Sequence, residues 1–485
     1  MRNALQNLEP KIIWNNFSKL NAVPRASKKE ERVIKFIYDF GINLGLETLI
    51  DGTGNVVIVK PATSDMENRK TVILQSHLDM VHEKNNDVDF DFDNSGIKMY
   101  VDNDWVRAEG TTLGADNGLG VATIMSVLES NEMSHPRLEA LFTVDEETGM
   151  TGALQLDENI LKGEILLNLD TEEDDEIGIG CAGGVDITLT KKFEVSTNHD
   201  LFFIKITLNG LSGGHSGMEI HKDLGNSNKL LSSIIKDLND HFIINIAEIN
   251  GGGLRNAIPR ESSFILGVNE ADFENIKIQS QKSFAIIKNQ FIDKDPLINL
   301  TTIKAEGSYK VLTFKNQNDL LKLIHNCPNG VYKMSDNIPG LVETSNNLAN
   351  IQLNQGDLMI KCLTRSSDEP SKEELKNFIK SLFIEHNYSV NFSGDYPGWQ
   401  PNMESEILAK LIKVYKKLNN SDPNVAACHA GLECGIIGSH YPKLDMISFG
   451  PTIRGAHSPD ERASIKSTIK FWKFLKEVLL NIPFK

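Results

Sequence analysis

Five short stretches of this chain hold residues that could bind a metal ion or move a proton. They are "SHLDM" with His77 and Asp79, "GADNG" with Asp116, "VDEETGM" with Glu146 and Glu147, "NLD" with Asp170, and "HSPDE" with His457. Each has a plainer reading by itself: a buried histidine bonded to its neighbour, an Asp-Asn-Gly turn capping a helix, a solvated acidic turn, a strand end, a loop. Together they supply imidazole nitrogens and carboxylate oxygens, a donor set suited to Zn, Mn or Co. The chemistry such a set offers is metal-assisted hydrolysis. The triplet Asp145, Glu146, Glu147 is the most pointed clue, because each carboxylate raises the cost of ionising the next unless a cation offsets the repulsion.

The elements that must position these residues follow a pattern. His77 and Asp79 follow the apolar run "TVILQS", Glu146 and Glu147 follow "ALFTVD", Asp170 follows "ILLNL", and His457 lies a few residues past "DMISFG". Each run reads as a strand, and in open α/β sheets the ligand crevice lies at the carboxyl ends of the strands. Between them, "NGLGVATIMSVLESN" (117–131) reads as a helix, as does "KKEERVIKFIYDFG", with a capping-box pattern of Ser27 and Glu30 before it and Gly41 to end it. Strand and helix signals alternate from residue 28 to about 180, which predicts an α/β unit with a mostly parallel sheet covered by helices. In extended backbone, adjacent side chains point opposite ways, so Glu146 and Glu147 are expected to take different jobs.

Past "GIGCAGGVD" the texture changes to period-two runs such as "VDITLTKKFEV" and "LFFIKITLNGL", typical of half-exposed antiparallel strands. The expected organisation is a catalytic unit in two parts, 1–186 and 397–485, around an inserted α+β block at 187–396. The insertion is long enough to hold two α+β units. The 485 residues exceed what one core supports. With Lys plus Arg at 50, Asp plus Glu at 66 and a formal charge of -16, neither a nucleic acid nor an anionic membrane is the expected partner. No run approaches the ~20 apolar residues of a membrane span, and the first residues lack the apolar core and cleavage site of a secretory leader. Five scattered cysteines without a CxxC fit a reduced, cytoplasmic setting.

The stretches "SHLDMV", "GADNGLG", "VDEETGM", "NLDTE" and "HSPDE", in this order, resemble the two-metal peptidases related to carboxypeptidase G and aminoacylase-1. "VPRASKKEE", "GGHSGMEIH", "YPGWQP" and "HAGLECG" are similar to the aminoacyl-histidine dipeptidase (Xaa-His dipeptidase) branch. The resemblance implies two divalent ions, zinc first, with cobalt or manganese as alternatives. Asp116 would bridge them, with His77 and Asp170 completing one site and Glu147 and His457 the other. Asp79 would orient the imidazole of His77. Glu146 would act as general base on a water bridging the ions, then protonate the departing amine. In the insertion, which the resemblance makes a lid, His215 would stabilise the oxyanion, and Asn256 and Arg365 would hold the substrate's amide region and terminal carboxylate. Glu433 would read one end of a dipeptide.

Plainer alternatives stand beside these: a glycine-rich hairpin at His215, a surface ion pair at Arg365, and a local pair of His429 with Glu433. The implied activity is hydrolysis of unblocked dipeptides, Xaa-His and β-Ala-His among them, by a chain that could act as a homodimer. The rivals are an aminoacylase- or carboxypeptidase-like amidase on the same scaffold and a catalytically silent metal-binding relative.

Overall fold

The structure is a computed structural model that describes residues 5–485. The described chain forms two compact units. The first holds the residues up to Cys181 together with Trp399–Ala427 and Leu432–Lys485; the second holds Ala182–Gly398 and Cys428–Gly431. The divisions therefore fall at 181/182 and 398/399 rather than at 186/187 and 396/397. Gly183 and Gly184, which read as part of a turn, already pair with Ser366 and Arg365 as the start of the strand Gly183–Lys192. A Cβ at Gly183 would lie 2.5 Å from the Tyr396 carbonyl oxygen, so only glycine admits that approach. The motif "HAGLECG" is also split: His429 goes with the inserted unit and Glu433 with the first.

The first unit is built on an eight-stranded sheet in the order Glu47–Ile50, Val56–Lys60, Leu138–Thr143, Val72–His77, Ile165–Asn168, Asp445–Ser448, Glu176–Cys181, Asn424–Cys428. Its four central strands, from Leu138–Thr143 to Asp445–Ser448, are parallel. Strands flanking this centre run antiparallel, so the parallel character is confined to the middle. The strands at 72, 138 and 165 are buried along their whole length, which is why they read as continuous apolar runs rather than alternating ones. Val72–His77 lies between the strands that follow it at 138 and 165, so the chain crosses from it to one side and then returns past it to the other. That reversal makes its carboxyl end a switch point of the sheet.

Polar side chains buried in these strands satisfy one another. Gln75 Nε2 donates to Thr143 Oγ1 (3.1 Å), Asn168 Nδ2 to Gln75 Oε1 (2.5 Å), and Ser448 Oγ to Asn168 Oδ1 (2.5 Å). The ladder crosses the central strands just before their ligand-bearing ends. Helix Ala115–Glu129 is buried on nearly every position, which its small and apolar residues allow.

The capping box expected at Ser27 and Glu30 does not form. Helix Glu31–Asn43 has Glu30 at its N-cap without a side-chain cap bond, and it continues through Gly41. Ser27 Oγ donates instead to Asp79 Oδ2 at 2.8 Å, and Glu30 Oε1 accepts the Asp145 amide at 3.0 Å. Local sequence offered these groups a helix end, and tertiary contacts with two acidic loops took them.

The second unit carries one nine-stranded sheet, antiparallel throughout. One half runs Asn299–Lys304, Phe202–Asn209, Ser262–Val268, Asn245–Gly252; the other runs Val342–Asn354, Asp357–Ser366, Gly183–Lys192, Ser389–Tyr396, and the ninth strand, Gly330–Met334, pairs with Val342–Asn354 off this path. The halves join where Ile249–Gly252 pairs with Asn350–Leu353. The two α+β units thus share one sheet, and a single core draws on both, from Ile206 and Phe264 to Ile360 and Phe383. Among the described residues no helix is long and apolar enough to cross a membrane.

Candidate active site

His77 is the last residue of its strand, and Asp170 lies two residues past the strand Ile165–Asn168. Asp116 sits where the chain enters helix Ala115–Glu129, after Gly114 in a left-handed conformation (φ 68°), with Asp116 itself non-helical (φ -79°, ψ 112°). Glu146 and Glu147 begin a single helical turn, Glu146–Gly149, entered through a left-handed Asp145 (φ 55°). The two glutamates are therefore not in extended backbone, and the expected alternation is not what parts them. His457 comes from the loop between Ile453–Arg454 and Arg462–Ser464 and is itself left-handed (φ 62°).

These segments converge. His77 Nε2 lies 3.2 Å from Asp116 Oδ1 and 3.6 Å from Asp170 Oδ1. His457 Nε2 lies 3.1 Å from Asp116 Oδ2 and 3.0 Å from Glu147 Oε2. Two triads result, His77–Asp116–Asp170 and Asp116–Glu147–His457, each with ligand atoms within 4.8 Å of one another, and they share Asp116 through different oxygens. Three carboxylates and two imidazoles in that arrangement fit two divalent cations. Glu147 Oε1 fits as well: it is buried without a hydrogen-bond partner. The hydrogen bonds from both imidazoles hold the Asp116 carboxyl below the usual range despite its burial, while burial lifts that of Asp170.

Asp79 organises the rim. Its Oδ1 meets His77 Nδ1 (3.2 Å) and accepts the Glu146 amide (3.0 Å), while Oδ2 accepts the Glu147 amide (3.2 Å) and the Ser27 hydroxyl. One carboxylate thus fixes a ring orientation and the turn bearing both glutamates. Burial pushes its carboxyl up, but His77 and these donors outweigh it and bring it to about 2. Glu30, Asp79 and Asp145 form a separate, wholly acidic buried group, and its oxygens already have partners. Asp145 accepts the Thr148 and Thr151 hydroxyls, so it holds the turn together.

Glu146 belongs to neither of these two triads, though its carboxylate also lies with His77 and Glu147 in a group whose ligand atoms are within 4.8 Å of one another. Burial first, and then the charges of Asp170, Glu433 and Glu147, raise it well above the usual carboxylate range, with His77 opposing. Glu433 is 1% exposed, and its Oε2 accepts from Gln75 Nε2 (2.6 Å) and Thr143 Oγ1 (2.7 Å). Burial lifts it to about 7. His429, the partner expected for it, belongs to the second unit.

In the second unit, His215 and Asn256 are brought together by a short ladder in which His215 pairs with Ala257, and the Ser216 amide donates to the Asn256 carbonyl (2.8 Å). Arg365 is 5% exposed, so it is no surface ion pair; its Nη1 donates to the Tyr396 hydroxyl at 3.0 Å. Burial and the Arg365 charge lower His215 and bring the neighbouring His429 to about 3. His429 Nε2 lies 2.8 Å from Ser345 Oγ. Sequence reasoning gave His429 only a local pair with Glu433, and gave no role to Ser345, Tyr396, Arg25 or Glu461. "VPRAS" and "HSPDE" contained the last two, but nothing in their spacing said what they would touch.

An α/β sheet with a parallel centre and this donor set on its rim defines a metallopeptidase. The chain belongs to peptidase family M20/M25/M40, which matches residues 73–481. It is 40% identical over 484 residues to the cytosol non-specific dipeptidase of Escherichia coli, covering 99% of each chain. The crystal structure of aminoacylhistidine dipeptidase from Vibrio alginolyticus superposes with a TM-score of 0.93 at 38% identity, over 99% of this chain and 98% of that one. Aminopeptidase PepT from Bacillus cereus shares the fold at 16% identity, with a TM-score of 0.58 over 98% and 99% of the two chains.

Proposed function

We propose that this chain is a two-metal dipeptidase that cleaves unblocked dipeptides, Xaa-His among them, with Glu146 as the proton carrier. The observation that carries this reading is the pair of triads sharing Asp116, with Glu146 beside them and outside both. The names of the Escherichia coli and Vibrio alginolyticus relatives support the substrate class, and the former supports a cytosolic setting.

We assign His77, Asp116 and Asp170 to one ion and Asp116, Glu147 and His457 to the other, with zinc, cobalt or manganese as the metal. Bound there, the ions would acidify a water and polarise the scissile carbonyl. Glu146 accepts the proton of the attacking water and passes it to the amine that leaves. A carboxylate beside the ligand triads and outside both suits that double duty, because it is free to take a proton and return it. Asp79 keeps Glu146 and Glu147 in fixed relation by holding both amides. Arg365 is assigned to the dipeptide carboxylate, His215 to the oxyanion and Asn256 to the amide region. Glu433, whose Oε2 accepts from Gln75 and Thr143 on the central strands, is assigned to the floor of the site rather than to a dipeptide end.

The test is a substrate panel: Ala-His, β-Ala-His and dipeptides without His, set against N-acetyl amino acids and folate-type amides. Turnover of the unblocked dipeptides is expected. Turnover confined to the acylated or folate-type compounds would overturn the reading in favour of an amidase. Arg365→Lys is expected to raise KM for dipeptides about tenfold or more with a smaller change in kcat, because a point charge replaces a planar fork. An unchanged KM would remove Arg365 from the substrate.

A further inference from the structure

Four successive amides in the loop that presents Asp116 point at one carboxylate. Leu113 and Gly114 donate to Glu461 Oε2 at 2.7 and 2.9 Å, and Ala115 and Asp116 donate to Glu461 Oε1 at 2.7 and 3.2 Å. Glu461 is 2% exposed. It closes the turn that begins at Ser458, next to His457, its own amide donating to the Ser458 carbonyl at 3.0 Å. The segment carrying His457 is thereby tied directly to the segment carrying Asp116.

The carbonyl side of the same loop is held by Arg25, which is 1% exposed. Its Nη2 donates to the Gly114 carbonyl and to Asn21 Oδ1. Its Nη1 donates to the carbonyls of Leu78 (3.1 Å) and Asp79 (3.0 Å), which follow His77. Room for the guanidinium comes from Gly114 and Gly118, where a Cβ would lie 2.4 and 2.6 Å from Nη2. Three ligand-bearing segments far apart in sequence (77–79, 113–116 and 457–461) thus meet on two buried ions of opposite charge. Burying such groups is costly, and neither belongs to a ligand triad.

We infer that Glu461 and Arg25 are positioning residues that fix the shared carboxylate of Asp116 relative to His77 and His457, and so set the spacing at which two metal ions are held. The inference rests on the two-metal reading above. Glu461 takes the amide side of the loop and Arg25 the carbonyl side, so neither can be replaced by an isostere of the wrong polarity. A glutamine at 461 would turn an –NH2 toward two amide donors.

The test compares wild-type protein with Glu461→Gln in stepwise cobalt(II) titration, following ion uptake by dialysis and the magnetic coupling of the two ions by electron paramagnetic resonance. Wild type should take two ions. With the fold retained by circular dichroism, Glu461→Gln should bind one ion about 10- to 100-fold more weakly, as loss of a group that orients a ligand does. It should also show altered coupling, and lower kcat at little-changed KM. Two ions at wild-type affinity and coupling in the variant would overturn the inference alone. So would equal weakening of both ions with wild-type coupling, the mark of lost charge without lost position. If Glu461→Gln does not fold, Arg25→Lys decides on the same two readouts, and wild-type values for both would overturn it. Uptake of a single ion by wild type would sink the two-metal reading itself.

Discussion

Replacing Glu146 by glutamine is expected to lower kcat by about 10²–10⁴-fold, the span general acid–base catalysis supplies, while two divalent ions stay bound. The substitution keeps the shape of the side chain and leaves the Glu146 amide on Asp79 Oδ1. It removes only the ability to take a proton. Glu147→Ala is the necessary contrast. Glu147 Oε2 lies 3.0 Å from His457 Nε2, and Oε1 is buried without a hydrogen-bond partner, so its loss should cost an ion. Metal content and turnover, measured together on both variants, separate the roles. Because His77, Glu146 and Glu147 also lie within 4.8 Å of one another, the reverse outcome is physically available. An ion lost in Glu146→Gln and both kept in Glu147→Ala would exchange the two assignments.

Removing the ions with a chelator should abolish hydrolysis of every dipeptide, and adding zinc, cobalt or manganese back should restore it to differing degrees. A stability change should accompany the loss. An ion that binds only the folded chain adds about 2.7 kcal/mol when present at about 100 times its Kd, so melting temperature should rise with each metal that restores activity. The stripped protein is expected to stay folded, since His77 and His457 then pair with Asp116, Asp170 and Glu147. Full activity in exhaustively stripped protein would end the metal-dependent reading.

Much of this was legible in the chain because the site sits where strands stop. An apolar run followed closely by His or Asp marks both the strand and its functional end, and the strands ending at His77, Thr143 and Asn168 carry that mark, whereas His457 lies nine residues past the strand ending at Ser448. Glu146 and Glu147 were separated for the wrong local reason: the segment is a helical turn, and a left-handed Asp145 starts it. Backbone conformation at a turn depends on what the turn must reach, here Asp79 and Glu30, and no local pattern encodes that. Ser27 and Glu30 failed in the same way, since a hydroxyl three residues before a glutamate serves a helix cap or a distant carboxylate equally well. Arg25 and Glu461 stayed unread because they act through main-chain atoms of other segments, and sequence shows side chains only. The insertion's alternating runs announced antiparallel strands but not that Asn245–Gly252 would pair with Val342–Asn354 and fuse two halves into one sheet.

The place of the strand Asp445–Ser448 bears on when the enzyme can come into being. It lies in the interior of the first unit's sheet, between Ile165–Asn168 and Glu176–Cys181, although nearly the whole chain precedes it. During synthesis the sheet therefore keeps a gap with two unpaired edges until residues 445–448 have been made. His457 and Glu461 arrive a few residues later still. The Asp116 loop is held by Glu461 and the second triad needs His457, so the site is not complete before the residues that follow this strand have been made. A chain stopped short of that strand would be left with open edges, a form prone to aggregation, and without His457.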